Sequence, residues 1–137
     1  MINLKTSQEI EVMHEGGEIL AKILRKLSGE VKPGITTNHL EKLARELVLS
    51  YGVESSFLGF ENYPAALCTS VNEEIVHGLP SEKKLLDNGD VLKLDMGVYF
   101  NGFHTDSATT VIVGNDNDIK KKELLKVTRE ALEIGIR

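Results

Sequence analysis

Residues 89–114 read GDVLKLDMGVYFNGFHTDSATTVIVG, and the fold is decided by how this stretch pairs with itself. The apolar runs Val91–Phe100 and Phe103–Val113 flank Asn101-Gly102, the dipeptide suited to a two-residue type I′ turn, in which both central residues take positive φ. The spacing predicts a long antiparallel hairpin. With Asn101 and Gly102 as the turn, Phe100 pairs with Phe103, and continuing outward Asp106 faces Gly97 and Asp95 faces Ala108. Both carboxylates then lie on one face, diagonally offset on neighbouring strands and on the order of 7 Å apart at the backbone. Leu92, Leu94, Met96, Val98 and Phe100 take the other face, the pattern of a sheet packed on helices.

An aspartate inside Leu94-Asp95-Met96 runs against strand propensity, and burying its charge without a partner is costly. A divalent cation between Asp95 and Asp106 compensates that charge, and Gly97 opposite Asp106 leaves room for it. Pairing with Lys93 or with a helix lysine, or plain solvation on a one-sided sheet, accounts for the same spacing. Two aspartates alone do not separate these alternatives.

Upstream of the hairpin the periodicity is helical. Thr6 and Glu9 have capping-box spacing, and Ile10, Met13, Gly17, Leu20, Leu24 and Leu27 recur at three or four residues up to Gly29. Pro33-Gly34 breaks the chain, and after Thr36-Thr37-Asn38 a second stripe, Leu40, Leu43, Ala44, Leu47 and Val48, closes at Gly52. Ala65–Val71 and Glu74–His77 read as short strands. From about Asn117, Leu124, Val127, Ala131 and Ile134 mark a last helix that stops in mid-pattern at Arg137, from which more chain is expected to follow. The expectation is a single α+β domain over residues 1–137, an antiparallel sheet covered by helices on one face.

The composition narrows the class. Twenty-one acidic against 16 basic residues, a net charge of -5 and no long run of like charge argue against nucleic-acid or anionic-membrane partners. Lys120–Lys122 is the one basic cluster and reads as a solvated helix face. One cysteine, Cys68, precludes an intramolecular disulfide and a CxxC zinc module, and with no signal-peptide or spanning segment a cytoplasmic location is expected.

The string NEEIVHGLPS, residues 72–81, followed by residues 89–114, resembles the first half of the methionine aminopeptidase catalytic domain, peptidase family M24, which has the pita-bread fold. The resemblance continues upstream through LKTSQEIEVMHEGGEIL, VKPGITTNHLEKLA and SFLGFENYPAALCTSVNEE, so it covers nearly the whole chain in order. With no zinc-finger extension, the chain is similar to the short bacterial type I form. The resemblance implies an enzyme that removes N-terminal methionine from nascent chains, working near the ribosome on methionyl peptides, through metal-activated water at two divalent ions (Co, Mn, Fe or Zn). Asp95 resembles the aspartate that bridges both metals, and Asp106 the second ligand. His77 in VHGLP resembles the histidine that contacts substrate at the scissile bond; a strand-ending histidine with a backbone hydrogen bond is the bland alternative.

Phe57, Phe60, Tyr63 and Cys68 fall where the family builds its pocket for the methionine side chain, and Phe60 stands where many relatives have tyrosine. Aromatic and soft walls suit a thioether. Cys68 has no paired base and is expected as a pocket thiol, not a nucleophile. His104 is expected beyond the direct metal contacts or at the surface, and His14 and His39 on helix surfaces. The resemblance also implies three further ligands, a histidine and two glutamates, in a C-terminal half absent here, so that the chain alone is expected to bind metal weakly, to lack activity and to self-associate. A prolidase-type fragment and a non-catalytic pita-bread binding module are the alternatives.

Overall fold

A computed structural model describes residues 4–137, so that Met1–Asn3 of the expected domain lie outside it. Helix α1 (Ser7–Glu30) starts at the anticipated capping box: Thr6 Oγ1 accepts from the Glu9 N–H at 3.2 Å while the Glu9 carboxylate accepts from the Thr6 N–H at 2.7 Å. Two otherwise orphaned donors are thereby satisfied. Thr6→Ala is expected to lower stability by about 1 kcal/mol, read as a shift in the urea midpoint at unchanged slope. Helix α2 (Thr37–Ser50) is capped by Thr36 and ends where Gly52 takes φ 67°.

The hairpin forms in the anticipated register. Strands β3 (Val91–Phe100) and β4 (Phe103–Ile112) pair from Phe100 with Phe103 out to Val91 with Ile112, including Asp95 with Ala108 and Gly97 with Asp106. Asn101 and Gly102 take φ 46° and 93°, the left-handed pair that a type I′ turn requires. Because β4 occupies one whole side of β3, the other side is shared end to end. There β2 (Cys68–Val71) pairs with Leu92–Asp95, and the two-residue β1 (Glu54–Ser55) pairs with Val98–Tyr99. Strand β3 is therefore central, and Asp95 sits in the middle of a three-strand width directly across from Cys68.

Helices α1 and α2 cover one face of this α+β sheet. Leu20, Ile23, Leu24 and Leu27 from α1, with Leu40, Ala44, Leu47 and Val48 from α2, close over Leu92, Leu94, Met96 and Val98 in one apolar cluster. In α1 the close-packing glycine is Gly16 and not Gly17: a Cβ at Gly16 would lie 3.4 Å from Phe100 Cβ, whereas Gly17 has open space. Helix α3 (Ile119–Ile136) buries none of its residues, and Leu124, Val127 and Ile134 are exposed.

Two expected strands are corrected. Only Cys68–Val71 of the 65–71 run is strand, because Ala66 and Leu67 give their N–H groups to a side chain. Glu74–His77 is not strand at all. Asn72 turns left-handed at φ 51°, and the Glu74 carboxylate folds back to accept the Val71 N–H at 2.8 Å and the Lys84 ammonium at 2.6 Å. Side-chain capping of the turn wins over the strand pattern there.

Candidate active-site cleft

On the face away from the helices, alternation along β3 and its register with both neighbours bring Asp95, Asp106 and Cys68 together. A cleft of about 540 Å³ opens over them, lined also by Phe57, Phe60, Tyr63, His77 and Leu79. All seven residues anticipated from the sequence thus border one cavity. Asp95 is half-buried and Asp106 exposed, at the floor and the open side. Burial, and then the negative charge of Asp106, push the Asp95 carboxyl up, with His77 pulling it down. A second carboxylate crowded this close disfavours ionisation of Asp95.

The lysine-pairing alternative is not what the chain adopts. Among the described residues neither aspartate joins a salt bridge, and Lys93 donates instead to the Asn72 carbonyl at 2.7 Å. The pair of hard oxygen donors under mutual repulsion fits a divalent cation, which relieves the repulsion directly. Among the described residues no group of three or more potential ligands converges. One expectation fails: Gly97 does not leave room for a metal. A Cβ there would lie 2.8 Å from Ser56 Cβ and 3.0 Å from Phe57 Cε1, so the missing side chain admits the 55–57 segment.

That segment begins the aromatic wall. Ser55 Oγ accepts the N–H groups of Phe57 and Leu58 at 3.2 Å, and the loop closes through Gly59 N–H to the Tyr63 carbonyl at 2.8 Å. Phe57 and Tyr63 meet edge to face at 6.5 Å. Phe60 borders the cleft but is 66% exposed, at its lip and not in its depth. Cys68 is buried, and burial is the main cause that pushes its thiol up, so it stays protonated and a poor nucleophile.

His77 is held by its neighbour. Gly78 lies against β2, its carbonyl accepting the Thr69 N–H at 2.7 Å and its own N–H donating to Ser70 Oγ at 3.0 Å. His77 itself takes φ 58°, a costly conformation for a residue with a Cβ, of the kind that concentrates at functional sites. His104 lies apart from this arrangement, with Nδ1 2.8 Å from Ser56 Oγ and its ring 4.6 Å from that of Tyr99. His14 and His39 are exposed on helices α1 and α2.

A residue the sequence pattern did not single out stands behind the wall. Glu41 of α2 is only 4% exposed and accepts backbone N–H groups from Ala66 and Leu67. Its one sequence signal is Arg45 four residues on, a spacing common on solvated helices.

Residues 11–137 match the family model described as metallopeptidase family M24. The chain is similar to methionine aminopeptidase from Clostridium perfringens, 43% identical over 99% of this chain and 54% of that protein. It is likewise 43% identical to methionine aminopeptidase 1 of Bacillus subtilis over the same shares. The crystal structure of a methionine aminopeptidase from Thermotoga maritima superposes with a TM-score of 0.92 at 42% identity, covering 97% of this chain and 53% of that one. The chain therefore spans about half the length of the relatives it matches, and its fold is that of the pita-bread proteins.

Proposed function

Because the chain belongs to metallopeptidase family M24, we propose that the full-length protein removes the N-terminal methionine from new polypeptides. The observation that carries this is the sharing of one cleft by two facing carboxylates, a histidine and a sulfur-and-aromatic wall. Asp95 and Asp106 are the residues of this chain that would hold metal. Two divalent ions (Co, Mn, Fe or Zn), when bound, supply an activated water and stabilise charge developing on the scissile carbonyl oxygen.

The other residues bind and orient. Phe57, Tyr63 and Cys68, with Phe60 at the lip, take up the methionine side chain through dispersion and sulfur-aromatic contact. His77 faces the scissile amide, where an imidazole can hold or pass a proton near neutral pH. The protonated Cys68 thiol leaves no competing nucleophile. No helix among the described residues is long and apolar enough to cross a membrane. Action in the cytoplasm, on nascent chains close to the ribosome, is part of the same proposal.

With two converging carboxylates, residues 1–137 by themselves are proposed to bind metal weakly and to be inactive. They also self-associate in this proposal, since among the described residues β4 pairs only with β3 and α3 exposes apolar side chains. Light scattering that returns a monomer overturns the self-association.

The full-length protein, stripped of metal and restored with Mn²⁺, is expected to release methionine from Met-Ala-Ser. Cleavage of dipeptides ending in proline, with Met-Ala-Ser untouched, would assign a prolidase instead. No Mn²⁺ binding by calorimetry would assign a non-catalytic module.

A further inference from the structure

We infer that Glu41 is a positioning residue that sets selectivity for the N-terminal side chain, by clamping from behind the backbone that carries Tyr63 and Cys68; this rests on the peptidase reading above. The Glu41 side chain crosses from α2 to the 64–67 segment. Its Oε1 accepts the Ala66 N–H at 2.9 Å and its Oε2 accepts the Leu67 N–H at 2.9 Å. Arg45 bonds Glu41 through Nε and donates through Nη2 to the Pro64 carbonyl at 2.8 Å. Three of the four residues between the two pocket residues, Pro64, Ala66 and Leu67, are thus tied to one ion pair.

Each tie reaches the pocket in one step. The Tyr63 hydroxyl donates to the Leu67 carbonyl at 3.2 Å, so the peptide unit on Leu67 sets where the ring stands. Cys68 is the next residue and opens β2 across from Asp95. Burial is the main cause that raises both Tyr63 and Cys68, and the Glu41 charge is near enough to add to each. A buried carboxylate is expensive unless its lone pairs are filled, and here backbone donors and a guanidinium fill them. An apolar residue at this place would pack from α2 against the 64–67 segment without fixing it, so the charge serves geometry.

The test is the ratio of kcat/KM for Met-Ala-Ser to that for Leu-Ala-Ser in the full-length, metal-loaded protein. This ratio is independent of how much enzyme is folded, so a loss of stability alone leaves it unchanged. Glu41→Gln keeps the volume but sets an amide donor against backbone donors, and the ratio is expected to fall about tenfold, chiefly through a raised KM for the methionyl peptide. Arg45→Met removes the Glu41 ion pair and frees Pro64 while leaving the Glu41 bonds to Ala66 and Leu67, and it covers the case in which Glu41→Gln does not fold; a fall of about threefold is expected. A wild type that cleaves Met-Ala-Ser while the folded variants keep its ratio within about twofold overturns the inference alone. A wild type inert towards methionyl peptides overturns the peptidase reading and this inference with it.

Discussion

Asp95→Asn in the full-length protein is expected to lower kcat/KM on Met-Ala-Ser by on the order of 10³-fold, because metal-borne charge stabilisation amounts to several kcal/mol and each 1.4 kcal/mol is tenfold. The amide nearly matches the carboxylate in shape, so cleft and hairpin persist and the loss reports chemistry. Mn²⁺ affinity, measured by calorimetry, falls with it. An enzyme keeping more than about a tenth of its activity would remove Asp95 from the metal centre.

The same substitution is expected to stabilise the metal-free protein, and the pH dependence carries the sign. Burial and Asp106 raise the folded-state value of Asp95 above that of the unfolded chain. The folded state therefore binds the proton more tightly, its stability is fullest below the ordinary aspartate value, and stability is lost as pH rises through the raised one. Asparagine has no such titration. The advantage of Asp95→Asn in thermal midpoint should be absent near pH 3 and grow to a plateau by about pH 7. An advantage of equal size at both ends would mean that packing, not charge, is responsible. Function and stability are thus opposed at one side chain, as expected where a site is built to receive a cation.

Gly78→Ala is the second large effect. A Cβ at Gly78 would lie 2.3 Å from the Thr69 carbonyl oxygen and 2.8 Å from Ser70 Cα, both backbone atoms of strand β2. Neither can rotate away as a side-chain tip can. The 77–79 segment must lift off β2, losing the 2.7 Å Thr69-to-Gly78 bond and displacing His77. A shift of about 1 Å in a substrate-contacting group costs on the order of 10²-fold in rate, and overpacking adds about 1–3 kcal/mol of instability. The expected result is a loss in kcat approaching that of His77→Ala, together with a lowered thermal midpoint. Activity close to wild type would mean that the loop has another seat and that His77 is not positioned by Gly78.

Much of this was readable in local rules. Alternation along Val91–Phe100 and the Asn101-Gly102 turn determine the register, since a one-residue slip would carry the apolar set out of the core. The shared face of Asp95 and Asp106 follows directly. So do the two capped helices, because capping and a 3.6-residue stripe act within a few residues. The failed strand at Glu74–His77 marks where local pattern stops being decisive: Lys84, ten residues on, helps hold Glu74 in the turn.

By itself, then, the amino-acid order determined the hairpin, its register and the facing pair of carboxylates, because period-two alternation and positive-φ turn residues involve only near neighbours. Tertiary structure alone decided what surrounds that pair. Cys68 lies across from Asp95, Ser56 and Phe57 fill the space above Gly97, Gly78 rests on β2, and Glu41 reaches a loop 25 residues away. Those are contacts between distant segments, set by the shape of the whole packed chain, and no periodicity encodes them.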